Sequence, residues 1–217
     1  MIKIVKFKIK LLIGLIFILA IISSCKNDNE LTFLLKGNVY DQTFEQGLSG
    51  GKVNVYTVSP ESLSSTLVET ENISSNGSYE VEIKRGLYNS VIIEIEKENY
   101  FIQKIDVPFS DLKPNEDNVY DFSVYAKSWV VFNIKNQSSP SESDELKFLK
   151  AYGKEGCDEC CSNGFSFYYG VTDFEKVCPN NGNDGFSYKY WVNGNEFFLE
   201  DSITTPVFDT VSIDIFY

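Results

Sequence analysis

The stretch CDECC places Cys157, Cys160 and Cys161 within five residues, and Cys178 follows seventeen positions after the last of them. Thiols at this spacing support three chemistries. Cys157 and Cys160 have the CxxC spacing of thiol oxidoreductases, four thiolates could hold zinc, and four thiols could close two disulfides. Oxidoreductases set CxxC at a helix N-terminus, where the dipole lowers a thiol pKa. Here SNGFSFYYG follows, a turn and then a strand, and Asp158 and Glu159 between the thiols would raise the pKa instead. Adjacent Cys160 and Cys161 are awkward ligands for one tetrahedral ion. Beyond the cluster lies an aromatic stretch. On a strand, Phe165, Phe167 and Tyr169 share one face and Tyr168 takes the other. Further on, Tyr188, Tyr190 and Val192 share a face, with Lys189 and Trp191 opposite. Such rings fill a core or stack on sugar rings; most are expected in the core, with Tyr168 and Trp191 as the candidates for ligand stacking.

Other chemistry is poorly supplied. The chain has no His, which excludes Ser-His, Cys-His and His-ligated metal mechanisms. Carboxylates are plentiful, but glycosidase-type work needs two held across a cleft, and a solvated acidic surface is the expectation. NNGNDG, residues 180–185, offers oxygen side chains, yet Trp191 stands where a calcium loop closes with Glu, so it reads as a glycine-rich turn. No catalytic residue, metal or cofactor is expected. The net charge of −12 argues against a nucleic-acid partner.

The elements that carry these residues read as strands. The chain has 217 residues, 43% of them hydrophobic and 15% aromatic, in short alternating runs that suit sheet rather than helix. LTFLLKGNVY, GKVNVYTV, SYEVEIK, SVIIEIE, YFIQKIDV and NVYDFSVYA are strands of a first module. Gly50-Gly51, Asn76-Gly77, Arg85-Gly86 and Pro114-Asn115 punctuate them, and Asn-Gly between alternating runs signals a hairpin. About seven strands in so short a span suggest an immunoglobulin-like sandwich. A second module starts with SWVVFNIKN. After the acidic loop QSSPSESDE come LKFLKAYG, FSFYYGVTD, YKYWVNG, NEFFLED and VFDTVSIDIFY.

The first 25 residues read as an address. Lys3, Lys6, Lys8 and Lys10 precede the apolar run LLIGLIFILAI, which ends at ISSC. That is a secretory signal, too short for a comfortable membrane span. Ile22, Ser23, Ser24 and Cys25 resemble a bacterial lipobox. The resemblance implies cleavage before Cys25 and lipidation of Cys25, so that acyl chains such as palmitate tether the protein to a membrane. Lys26, followed by Asp28 and Glu30, is similar to the export signals of some surface lipoproteins. The expected location is the outer membrane, lipid-anchored and facing the cell surface.

That address also bears on the cysteines. Outside the cytosol thiols oxidise, and with Cys25 lipidated four remain. Pairing Cys160 with its neighbour Cys161 would close a strained eight-membered ring. Two connectivities are left, in which Cys178 joins Cys160 or Cys161 and Cys157 takes the other.

The first module resembles the carboxypeptidase regulatory-like domains, relatives of the transthyretin-like sandwich. The matching positions are Gly37, Val39, Asp41, Leu48, Gly50, Val53, Val55, Asn76, Gly77, Tyr79, Val81, Gly86 and Tyr88, within about residues 34–107. Where that family has Gly-Tyr this chain has Asn99-Tyr100, and Asn also tolerates the left-handed turn. The resemblance implies a structural β module without catalytic residues.

The expected organisation is all-β, with two Ig-like β-sandwich modules in tandem after a lipoprotein signal peptide. Its parts are a signal at 1–24, an acidic tether at 25–30, a regulatory-like sandwich at 31–126 and a cysteine-bearing sandwich at 127–217. The expected function is non-catalytic binding of a partner protein or glycan. The alternative is a thiol-redox or metal-binding protein built on the Cys157–Cys178 cluster.

Overall fold

Alternating apolar residues become two successive β-sandwiches. The computed structural model describes residues 31–62, 64–137, 141–170, 173–198 and 203–217. The signal segment, Cys25 and the tether lie outside the described residues, and so does part of the acidic loop QSSPSESDE.

The first sandwich contains β1 (Thr32–Asp41), β2 (Gln46–Gly47), β3 (Lys52–Val58), β4 (Ser65–Asn72), β5 (Ser78–Lys84), β6 (Ser90–Glu96) and β7 (Gln103–Pro108). A single 3₁₀ turn (Phe109–Asp111) leads to β8 (Asp117–Val119) and β9 (Phe122–Val124). One sheet has the order β2-β1-β5, with β8 and β9 pairing parallel to β1; the other is β4-β3-β6-β7. Val53 and Val55, Tyr79, Val81 and Ile83, and Val91, Ile93 and Ile95 are buried, as their alternation predicts.

Two features of this module depart from the sequence reading. Asn76-Gly77 does not close a hairpin. The turn, held by Gly77 N–H donating to Ser74 O at 2.9 Å, carries the chain from β4 in one sheet to β5 in the other. The strand STLVETEN, β4, was not anticipated; all eight residues are exposed, so no apolar alternation announces it. Asn99, ahead of Tyr100, takes φ 61°, the left-handed backbone that Asn tolerates.

The second sandwich contains β10 (Lys127–Lys135), β11 (Glu145–Tyr152), β12 (Phe165–Tyr169), β13 (Asp173–Asn181), β14 (Asp184–Val192), β15 (Asn195–Phe198), β16 (Ile203–Thr205) and β17 (Thr210–Phe216). Its sheets are β13-β10-β17 and β12-β11-β14-β15, with β16 pairing β14. Val130, Phe132, Ile134, Cys178 and Ile215 from the first sheet meet Leu146, Phe148, Phe186 and Tyr188 from the second. Phe132 sets its edge toward Phe148 and Tyr188 at centroid distances of 4.9 and 4.8 Å. FEKVCPNN, expected between strands, is strand β13. It is an edge of its sheet, the position where Pro179 costs least.

Thr32–Tyr217 is one compact unit, because the two sandwiches are tied where β9 passes to β10. Lys127 N–H donates to Asn99 O at 2.7 Å, Gly182 N–H to Ala126 O and Phe208 N–H to Lys127 O, both at 2.8 Å. Lys127 Nζ reaches Glu159 Oε1 at 2.6 Å and lies over the buried Phe101 ring.

Candidate functional site

The cysteine cluster builds the platform beside it. Cys157 bonds Cys160 and Cys161 bonds Cys178, each pair with Cα atoms 5.2 Å apart. Of the two connectivities open from sequence, the chain has the one that joins Cys178 to Cys161. Cys157 and Cys160 sit in a turn, with Cys160 N–H donating to Cys157 O at 3.2 Å, and strand β12 comes next rather than a helix. Cys178 lies in the core on β13, so its bond anchors the turn ahead of β12 to the opposite sheet.

Lys150 braces the segment that leads into this turn. It is buried on β11 and donates to Lys154 O at 2.6 Å. Burial lowers its pKa, and Glu155 nearby offsets part of that. Asn180 is wholly buried and works as a strut: its Oδ1 accepts from Lys154 N–H at 2.7 Å, and its Nδ2 donates to Gly185 O and Thr205 Oγ1. The NNGNDG segment is thus the turn between β13 and β14, its first side chain spent on packing.

Among the described residues strand β12 pairs only with β11, and the register decides where its rings point. Tyr168 lies opposite Leu146, and Ser166 opposite Phe148. Both partners are core residues, so Tyr168 turns inward. It packs on Phe174 at 4.5 Å, and Lys176 Nζ donates to its hydroxyl at 3.3 Å. Tyr168 is therefore seated against the core rather than offered for ligand stacking. Its neighbours go the other way: Phe165, Phe167 and Tyr169 are 49%, 48% and 63% exposed. Of the rings that the sequence assigns to the core, these three lie outside it.

Trp191 joins those rings from β14. It lies opposite Lys147 across β11 and stands 5.7 Å from Phe165, edge to face. Phe165 is 6.2 Å from Phe167, and Phe167 is 6.5 Å from Tyr169 with the planes within 7°. Lys147 occupies the middle, its Nζ 4.0 Å from the Phe165 centroid, 4.7 Å from Trp191 and 6.0 Å from Phe167. On the inner face of the same sheet, burial raises the pKa of Tyr188 and Tyr190, as suits core phenols. The signal for the outer row was present in the sequence as the alternation of Phe165, Phe167 and Tyr169.

Among the described residues no group of carboxylates and cysteines converges as a metal site would need. Asp41 is buried, but it is spent on structure: it accepts from Thr43 and Phe44 N–H and from the Tyr100 hydroxyl at 2.6 Å.

Neither family models nor curated proteins match this chain. Similar solved structures include the Bacillus anthracis TIE protein, at 11% identity over 85% of this chain and 34% of that one, with a TM-score of 0.37. A streptococcal ancillary pilin is 13% identical over 87% of this chain and 63% of the other, at a TM-score of 0.34. The 3-chlorocatechol 1,2-dioxygenase of Rhodococcus opacus 1CP is 11% identical over 46% of this chain and 61% of the other, also at 0.34. The chain spans about a third of the first and under two thirds of the other two. At such TM-scores the likeness carries no argument about function, which rests on the residues above.

Proposed function

We propose that this chain is a non-catalytic, lipid-anchored lipoprotein of the outer membrane, facing the cell surface, whose second sandwich binds glycan through its outer aromatic face. The single supporting observation is the contiguous row of Phe165, Phe167 and Tyr169, 49%, 48% and 63% exposed along β12, which the partly buried Trp191 joins from β14. Scattered exposed rings are ordinary on a protein surface, whereas a contiguous row marks an interaction surface. Aromatic faces stack on the apolar faces of sugars, and an open sheet suits an extended ligand. The regulatory-like first module serves as a spacer and support, and the signal with Cys25 supplies the anchor. The thiol-redox or metal alternative draws less support, because both disulfides engage all four of its thiols.

The experiment is binding of the full chain to a panel of soluble polysaccharides, beside a Phe165→Ala/Trp191→Ala variant. At least one polysaccharide should bind, and the variant should bind it on the order of tenfold more weakly. Binding untouched by the double substitution would remove the reading. In the producing cells a fatty-acid analogue should label the wild-type chain and not Cys25→Ala; label retained in that variant would remove the anchor.

A further inference from the structure

We infer that the outer aromatic face takes a carboxylate-bearing polysaccharide, with Lys147 selecting acidic over neutral sugar. This deepens the glycan-binding reading above and rests on it.

The position of Lys147 carries the inference. It sits on β11 between the two strands that bear the rings, opposite Phe167 on one side and Trp191 on the other. Its ammonium contacts three aromatic faces and, among the described residues, no carboxylate. The ring quadrupoles hold the charge in place without neutralising it, so it stays available for an anion. Surrounding apolar rings also exclude water, which makes a charge contact there stronger than one on an open polar surface.

The charges on this face are unevenly placed. Alternation puts Glu145 and Lys147 on the outer side of β11 and Lys189 with Trp191 on that of β14. Glu145 lies opposite Tyr169 at one end of the row, Lys147 lies in the middle opposite Phe167 and Trp191, and Glu196 on β15 lies opposite Trp191 at the far side. Lys147 would meet a sugar carboxylate, and the rings around it would stack on the neighbouring sugars. The acidity of the whole molecule opposes a polyanion at long range. At physiological ionic strength that field is screened beyond about 8 Å, leaving the contact surface to decide.

The test uses the full chain in detergent, with polygalacturonate as the acidic probe and dextran as the neutral one. Wild type should bind polygalacturonate on the order of tenfold more tightly than dextran, and high salt should shrink the difference. Lys147→Gln should erase the preference, and Lys147→Arg should keep it. Near-ultraviolet circular dichroism and thermal unfolding would confirm that each variant is folded. A preference that survives Lys147→Gln overturns the selecting role of Lys147. Equal binding to both probes, lost in Phe165→Ala/Trp191→Ala, overturns the acidic inference while the glycan reading stands. Binding that ignores the aromatic substitutions overturns both.

Discussion

At the scale of single residues, Cys161 and Cys178 do the most. Their bond closes a loop of 17 residues that contains all of β12. On the chain-entropy account such a loop stabilises by about 3 kcal/mol. The Cys157–Cys160 bond closes a far shorter loop and contributes less. Cys178 is also wholly buried, so changing it disturbs packing as well as the cross-link. Peptide mapping without reduction should therefore recover 157–160 and 161–178 links and no free thiol among the four. In denaturant, Cys161→Ser/Cys178→Ser should lose about 3 kcal/mol or more, and Cys157→Ser/Cys160→Ser clearly less. Equal losses would mean that loop length is not what matters here. Sequence narrowed the pairing to two schemes but did not choose, because Cys160 and Cys161 are chain neighbours and only the position of β13 separates them.

At the scale of elements, glycine at one position allows the β1 pairing. Gly37 lies on β1 against Tyr120, the first residue after β8, and a Cβ at Gly37 would overlap the Tyr120 carbonyl. That close approach lets Tyr120 N–H donate to Lys36 O at 2.8 Å, while the Tyr79 hydroxyl donates to Tyr120 O at 2.7 Å. Burial pushes the Tyr79 phenol up from its ordinary pKa, in keeping with a hydroxyl that stays protonated. Gly37→Ala should thus cost about 1–3 kcal/mol by chemical denaturation. No measurable loss would mean that Tyr120 moves aside freely. The strands that pack were legible: β1, β3, β5 and β6 alternate because one face is buried. The strand β4 was not, since both of its faces meet solvent, and β13 was hidden by its charges and Pro179. The same logic explains the aromatic row. A period of two shows that Phe165, Phe167 and Tyr169 travel together, but not whether they face in or out. The register against Leu146 and Phe148 decides that, and register is a property of the partner strand.

At the scale of the whole molecule, the question is whether the sandwiches are independent or act as one body. Residues 31–126 hold every strand of the first sandwich, so that fragment should fold alone by circular dichroism. It should be less stable than in the intact chain, because Phe101 is buried beneath Lys127 and Lys154 of the second module. The junction also has a wedge. Phe208 holds φ 59°, a conformation that costs a non-glycine residue on the order of 1 kcal/mol or more. Its ring compensates by lying 5.9 Å from Phe44 and 5.7 Å from Tyr100, both on the first sandwich. Its N–H donates to Lys127 O, where the second sandwich begins. The backbone strain is thus maintained by contacts across the junction. A double-mutant cycle between Phe208→Ala and Phe44→Ala isolates the ring contact and should give a coupling of about 0.5–1.5 kcal/mol. Phe208→Gly separates the two effects, since it removes the ring but relieves the backbone. It should therefore cost less than Phe208→Ala while loosening the junction to the same degree, read as thermal unfolding that broadens or splits into two steps. Zero coupling with an unchanged single transition would show that the wedge is incidental and that the main-chain bonds at Lys127 hold the sandwiches together without it.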